Sequence, residues 1–149
     1  MDRISGQARS LLMSKIGSRN TKPELIIRKV LSELGFRYRL HAKEFPGRPD
    51  IVNRSRHIAI FAHGCFWHGH TCKRGRLPTS NTLFWKTKLT RNKQRDRSSV
   101  RALRKLGWQV LTIWECQTKD QLRLRRRIAK WLTDQNIPIR EDSIECPPR

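Results

Sequence analysis

Between residues 63 and 72 the chain reads HGCFWHGHTC, which gathers three of its five histidines and two of its four cysteines into ten residues. With glycines inside it and Pro78 beyond it, the stretch to about residue 80 reads as a loop held by its own ligands rather than by secondary structure. The rest of the chain must then supply whatever closes the site. Cys65, His70 and Cys72 follow a C-x4-H-x-C spacing, and Cys116 ends the apolar run WQVLTIWEC. Three thiolates and one imidazole are the donor set of a closed tetrahedral zinc site. The alternative is that Cys65 and Cys116 are buried thiols and His70 a surface residue. Cys146 lies in the polar tail ECPPR, away from the cluster. Disulfides would require export, and MDRISGQARSLLMSKIGSRN lacks the apolar stretch of a signal peptide. The thiols are therefore expected to be reduced and cytosolic.

Hydrophobic periodicity places the elements around that loop. A short helix is expected over about residues 6–16, with Leu11, Leu12 and Ile16 on one side. TKPE has the form of a capping box, Thr21 with Glu24, and Ile27, Val30, Leu31 and Leu34 then repeat at helical spacing up to Gly35. FRYRLH alternates as a strand, EFPGRP is a turn, and DIV and IAIFA flank the polar hairpin NRSR, so an antiparallel meander is expected. Helix resumes at Asn81 or Thr82, a second and strongly basic helical stretch runs to about Leu106, WQVLTIWE is a buried strand, and Thr118 with Gln121 suggests a capped helix to about Thr133. That order implies an α/β fold, a mixed sheet with helices on both faces. A chain of 149 residues, 36% hydrophobic, suits one domain. No apolar run approaches the ~20 residues of a membrane span.

The charge narrows the partner. Lys and Arg number 33 against 12 Asp and Glu, a net +21, and arginine outnumbers lysine by 22 to 11. Such an excess points to nucleic acid or an anionic membrane, and arginine favours planar recognition of phosphate. Among the few carboxylates, Asp50 follows a Pro-Gly-Arg-Pro turn at the mouth of a strand, and the next strand ends at His63, with His68 five residues on. One carboxylate and two imidazoles in so basic a chain suit phosphodiester hydrolysis. Asp50 would hold Mg²⁺ and a histidine would deprotonate the attacking water. Asp50 is equally explained as a turn cap, and Glu24 as a helix cap that also orients water. Phe66, Trp67 and Trp85 suit base stacking or a wedge into a duplex, or else packing against the metal loop. Trp108, Trp114 and Trp131 fall on core positions. Part of the basic run Lys86 to Lys105 is expected to contact phosphate, and Arg123, Arg125, Arg126 and Arg127 to form a solvated face.

The segments NTKPE, LGFRYRLH, FPGRPDIV, IAIFAHGCFWHGHTC, NTLFW, NKQRD and LGWQVLTIWEC, in that order, closely resemble the very-short-patch repair (Vsr) DNA mismatch endonucleases over about residues 8–133. The resemblance implies a restriction-endonuclease-like fold with a structural zinc site and a Mg²⁺-dependent nick 5′ of the T in a T·G mismatch, the product of 5-methylcytosine deamination. It implies a DNA-embracing arm over residues 1–20, an endonuclease domain over 21–134 and a tail over 135–149. By the same resemblance Asp50 and the main-chain carbonyl of Ala62 bind Mg²⁺, His68 is the general base, and His63 and Glu24 support it. Cys65, His70, Cys72 and Cys116 match the Zn²⁺ ligands. Phe66, Trp67 and Trp85 match aromatics wedged beside the mismatch. Met13 and Ile16 match a wedge from the minor groove, and Lys88 and Asn92 match contacts near the mismatch. Ala62 lacks a hydroxyl that some members carry, which is harmless if only its carbonyl binds metal. The expected partner is double-stranded DNA, with contact to mismatch-repair proteins allowed by resemblance, no membrane, a monomer, and a bacterial cytoplasmic location at the nucleoid. The rival readings are a zinc-stabilised DNA- or RNA-binding module without catalysis and a less selective endonuclease.

Overall fold

A computed structural model of the chain describes residues 19–144. The expected first helix, Met13, Ile16 and Cys146 lie outside the described residues. The order is α1 (Lys22–Glu33), β1 (Arg39–Leu40), β2 (Ile51–Asn53), β3 (Ile58–His63), α2 (Thr82–Lys105), β4 (Gln109–Trp114) and α3 (Gln121–Asp134), with short 3-10 turns at Lys73–Gly75, Glu115–Thr118 and Glu141–Ser143. The strands form one sheet in the order β1-β2-β3-β4. The first three make the expected antiparallel meander. β4 then returns parallel to β3 after α2 has crossed the sheet, which makes the sheet mixed.

The period of two along β2 and β3 decides which layer each residue serves. Ile51, Ile58 and Ile60 face α1 and α3, where they pack with Ile27, Val30, Leu31, Leu34, Leu124, Ile128 and Leu132. Val52, Ala59 and Phe61 face the other way, against Leu103 of α2 and Trp108. Helices therefore cover both faces, as the order of elements implies. In the β2–β3 hairpin, the side-chain carbonyl of Asn53 accepts from Ser55 Oγ at 2.9 Å and from the Arg56 amide at 3.0 Å, a local turn that explains why NRSR reverses the chain.

Four expectations are corrected. The FRYRLH strand shrinks to Arg39–Leu40 because only Val52 and Ile51 of β2 pair with it and His41, at φ +50, leaves the extended conformation. The two helical stretches between Asn81 and Leu106 are one continuous helix of 24 residues. The cap of α3 is Asp120, which accepts from the Arg123 amide at 3.1 Å, whereas the Thr118 hydroxyl donates to the Glu115 carbonyl inside the preceding turn. Finally, Arg125 is buried at 3% exposure rather than solvated. It pairs with Glu33 of α1 and donates to the Ser143 carbonyl at 2.8 Å, tying α3 to α1 and to the segment beyond it. Ile137, Ile139 and Ile144 extend the α1–α3 core in that segment.

Arg125→Ala should remove charge-assisted bonds from a buried site and lower unfolding free energy by roughly 2–3 kcal/mol. Urea denaturation measures it, and a loss below about 0.5 kcal/mol would place Arg125 among the ordinary surface arginines.

Candidate active site and metal centre

The sheet register assembles the metal cluster. β3 and β4 run parallel with His63 opposite Trp114. Two residues past each strand end stand Cys65 and Cys116, and parallel pairing carries them to the same place. The Cys116 amide donates to Cys65 Sγ at 3.3 Å, and Cys116 Sγ lies 3.6 Å from His70 Nδ1. The ligand atoms of Cys65, His70, Cys72 and Cys116 all fall within 4.8 Å of one another. The His70 side chain bonds Cys72 and, with smaller help from the Gly75 and Arg74 amides, pulls its thiol down to about 6. Burial pushes the Cys65 thiol up to about 12. A buried thiol of that kind is released as thiolate by a soft cation, so donor type, number and amide-to-sulfur bonds suit one tetrahedral ion.

Beside it lies the second group. His63 and His68 stack with ring centroids 3.8 Å apart and planes within 2°. His68 Nδ1 is 2.6 Å from Asp96 Oδ2 on α2. A carboxylate there fixes the proton on Nδ1 and leaves Nε2 as the acceptor. Burial, followed by the proximity of His68, lowers His63 to about 4, so this ring is neutral at physiological pH. His63, His68 and Asp96 are close enough for a metal. Yet the lone pairs of stacked imidazoles lie in two parallel planes and do not converge, so a proton relay fits this trio better.

Glu24 and Asp50 complete the centre. Thr21 makes no side-chain cap bond, and Glu24 turns inward instead, 1% exposed, with Oε1 2.7 Å from His41 Nε2. Its Oε2 is buried without a hydrogen-bond partner. The capping box read from TKPE is therefore absent, and a buried carboxylate with an orphaned oxygen calls for a cation or a water. Asp50 Oδ2 accepts from the Ala62 amide at 2.8 Å, while the Asp50 carbonyl accepts from the His41 amide at 2.9 Å. Burial raises Asp50 to about 6, the Ala62 amide opposes the rise, and Glu24 adds to it. Two neighbouring carboxylates in a chain of net charge +21, neither paired to Lys or Arg among the described residues, form a hard-oxygen site that suits a divalent cation.

The aromatic residues form a third group. Phe66, Trp67 and Trp85 meet edge to face at 5.2–6.0 Å. Trp85 is buried at 7% exposure and supports the other two, which are half-buried. Lys88 Nζ sits 5.5 Å from the Trp67 and Trp85 rings. Asn92 donates to the Trp67 carbonyl at 2.8 Å and so fastens the aromatic loop to α2. Trp108 is core, but Trp114 is not only that: it stacks on His70 at 4.4 Å and meets His63 edge-on at 5.3 Å.

Sequence reading missed His41, Asp96, Leu83 and Phe84. His41 ends FRYRLH and Asp96 ends NKQRD, but neither has a local partner, and only folding brings them within reach of Glu24 and His68. Leu83 and Phe84 are 79% and 59% exposed at the start of α2. Two large exposed apolar residues beside the aromatic cluster were readable in NTLFW.

A mixed sheet that carries two carboxylates, a carboxylate-held histidine and a thiol-rich cluster at one end holds the groups that a metal-assisted hydrolase of phosphodiesters would need. Comparison with known proteins makes this specific. The family model for DNA mismatch endonuclease Vsr matches residues 1–74. The type II nicking enzyme V.XorIIP of Xanthomonas oryzae is 44% identical over 127 residues, which cover 85% of this chain and 93% of that protein. V.NmeAIP of Neisseria meningitidis, also a type II nicking enzyme, is 44% identical over 85% of this chain and 91% of its own length. The DNA mismatch endonuclease Vsr of Escherichia coli is 34% identical over 91% of this chain and 90% of its own. The chain belongs to the Vsr family and is a DNA endonuclease. No helix among the described residues is long and apolar enough to cross a membrane.

The raised Asp50 carboxyl has a stability consequence. Its protonated form favours the fold fully below about pH 4, and that contribution is lost as pH rises through about 6. At pH 7.5 the metal-free protein bears the penalty, at most about 3 kcal/mol. Asp50→Asn should raise the melting temperature of metal-free protein at pH 7.5, with a smaller gain at pH 5, and abolish stabilisation by Mg²⁺. Calorimetry at both pH values decides, and a lower melting temperature at pH 7.5 would refute the burial argument.

Proposed function

We propose that the protein is a Mg²⁺-dependent mismatch endonuclease of restriction-endonuclease-like fold, which nicks one DNA strand 5′ of the T in a T·G mismatch. The observation that carries this reading is the convergence on one sheet end of buried Glu24 with a free oxygen, Asp50, and His68 held by Asp96. The pattern of the family and the name of the Escherichia coli relative support the mismatch as substrate.

Asp50, with the Ala62 carbonyl, would hold Mg²⁺ at the scissile phosphate. When bound, the ion supplies neutralisation of phosphate charge and Lewis-acid activation. His68 takes the proton of the attacking water at Nε2, and Asp96 stabilises the resulting imidazolium through Nδ1. The neutral His63 ring donates to a phosphate oxygen and keeps His68 in plane by stacking. Glu24 orients the water through the oxygen that His41 leaves free. Cys65, His70, Cys72 and Cys116 would hold Zn²⁺, which keeps the loop between β3 and α2 rigid and so fixes His68, Phe66 and Trp67 together. Phe66 and Trp67, backed by Trp85, part the base pairs beside the mismatch, with Met13 and Ile16 entering from the opposite groove and Lys88 and Asn92 contacting the opened pair. The protein acts as a monomer on duplex DNA in the bacterial cytoplasm, at the nucleoid. A second reading, in which flanking sequence weighs as heavily as the mismatch, is favoured by the type II nicking enzyme names of the relatives at 44% identity.

Nicking assays on each strand of T·G and T·A duplexes test this. Wild type should cut the T strand of T·G alone. Asp50→Ala and His68→Ala should lose at least about 10³-fold and Asp96→Asn about 10²-fold, with DNA binding retained. Equal cutting of T·A would favour the less selective nuclease, and an active Asp50→Ala would remove the assigned metal site.

Elemental analysis should find about one zinc per chain. Cys116→Ser and chelation should each lower the melting temperature by 10 °C or more. Zinc-free protein that melts unchanged would contradict the role given to the cluster.

A further inference from the structure

On the α2 side of the sheet, beside His68 and Asp96, a cavity of about 770 Å³ opens between α2 and the strand β4. One wall is the α2 face carrying Lys93, Arg97, Arg101, Arg104 and Lys105, and the other is Thr112 and Trp114. All five cations are exposed, and none forms an ion pair among the described residues. Asp96, the one carboxylate in the lining, is occupied by His68.

Five like charges gathered along one wall repel one another, and a bound polyanion relieves that repulsion beyond what diffuse counterions do. The five cations recur at i, i+4, i+8, i+11 and i+12, and four helical residues advance about 6 Å. A cation thus recurs at roughly the repeat of phosphates along a single nucleic-acid strand. The volume lies in the range of about 300–1,000 Å³ that encloses a small ligand, far too small for a duplex. Trp114, half-buried and stacked on His70, lines the opposite wall and sets an aromatic residue across from the basic track, the combination found in sites for unpaired strands. The mouth is built for close approach. Gly69 has φ +64, and a Cβ there would stand 2.3 Å from Lys93 Cε, so the lysine stem lies against the loop that carries His68.

We infer that this groove is a subsite for an unpaired segment of DNA next to the scissile phosphate, holding about three phosphates. It lies apart from Phe66, Trp67 and Lys88, and it selects from the basic run the part that contacts phosphate: Lys93, Arg97, Arg101, Arg104 and Lys105. The exposed Lys86 and Arg91 lie outside it. The inference rests on the chain cutting DNA, and it deepens the proposed reading by making the substrate partly unpaired.

Binding of a fluorescent eight-nucleotide oligo-dT to the full zinc-loaded chain in EDTA tests it, because no cleavage is needed. The wild type should show a log–log salt slope near −2, from about −0.7 per phosphate. Arg97→Ala/Arg101→Ala/Arg104→Ala should weaken binding at least tenfold and flatten the slope, and alanine on an exposed helix keeps the fold, which the melting temperature checks. Lys86→Ala/Arg91→Ala should bind as wild type does. Unchanged affinity in the triple variant, equal loss in the control, or equally tight binding of a polyglutamate of matched charge would each overturn the inference. A wild type that binds oligo-dT in this way but does not nick T·G would refute the mismatch reading and leave the groove standing.

Discussion

The parallel pairing of β3 with β4 is the contact on which the rest of this protein depends. A meander alone would end at His63 with a long polar loop and no means of holding it. Because α2 crosses the sheet and returns the chain in parallel, the residues after both strands leave from the same edge, and Cys65 meets Cys116. Ladder hydrogen bonds therefore bring the Cys/His cluster together, and the loop that carries two of the cysteines also sets His68 against Asp96 of α2. Trp114 joins the two groups through ring contacts with His70 and His63, so the Cys/His cluster and the stacked histidines share one packed wall.

The carboxylate pair carries its own electrostatic cost. Glu24 is almost wholly buried and Asp50 half-buried, and among the described residues neither pairs with lysine or arginine. Arginine next to Asp50 would stabilise the fold, but it would fill the coordination that a divalent cation needs. Other carboxylates of the chain do pair with arginine or lysine, as Glu33 does with Arg125, so the histidine-only surroundings of Glu24 and Asp50 set these two apart.

How much of this was legible in the sequence depends on the range of each interaction. The helical repeat of Ile27, Val30, Leu31 and Leu34 and the turn at NRSR are local, and they formed where expected. TKPE also looked local, yet Glu24 abandoned the cap because His41, 17 residues on, offered a partner in the interior. Arg125 looked solvated in a run of arginines, and only the approach of Glu33, 92 residues away, drew it inside. The Thr118 pattern failed for a smaller reason, since Asp120 stood closer to the first helical amide.

The sequence by itself determined the chemistry: three thiols and an imidazole around a loop, a carboxylate at a strand mouth, two spare imidazoles, aromatics within a polar loop and a large positive charge. These are properties of residue types and of short spacings, so they survive without coordinates. The tertiary structure decided which of them act together. It supplied Asp96 and His41, exposed Phe84, buried Trp85 as a support, and divided an all-round basic helix into a groove face and a solvated face. The reason is physical: a proton relay or a groove is a relation between elements, and the packing that brings them together is not written in any one of them.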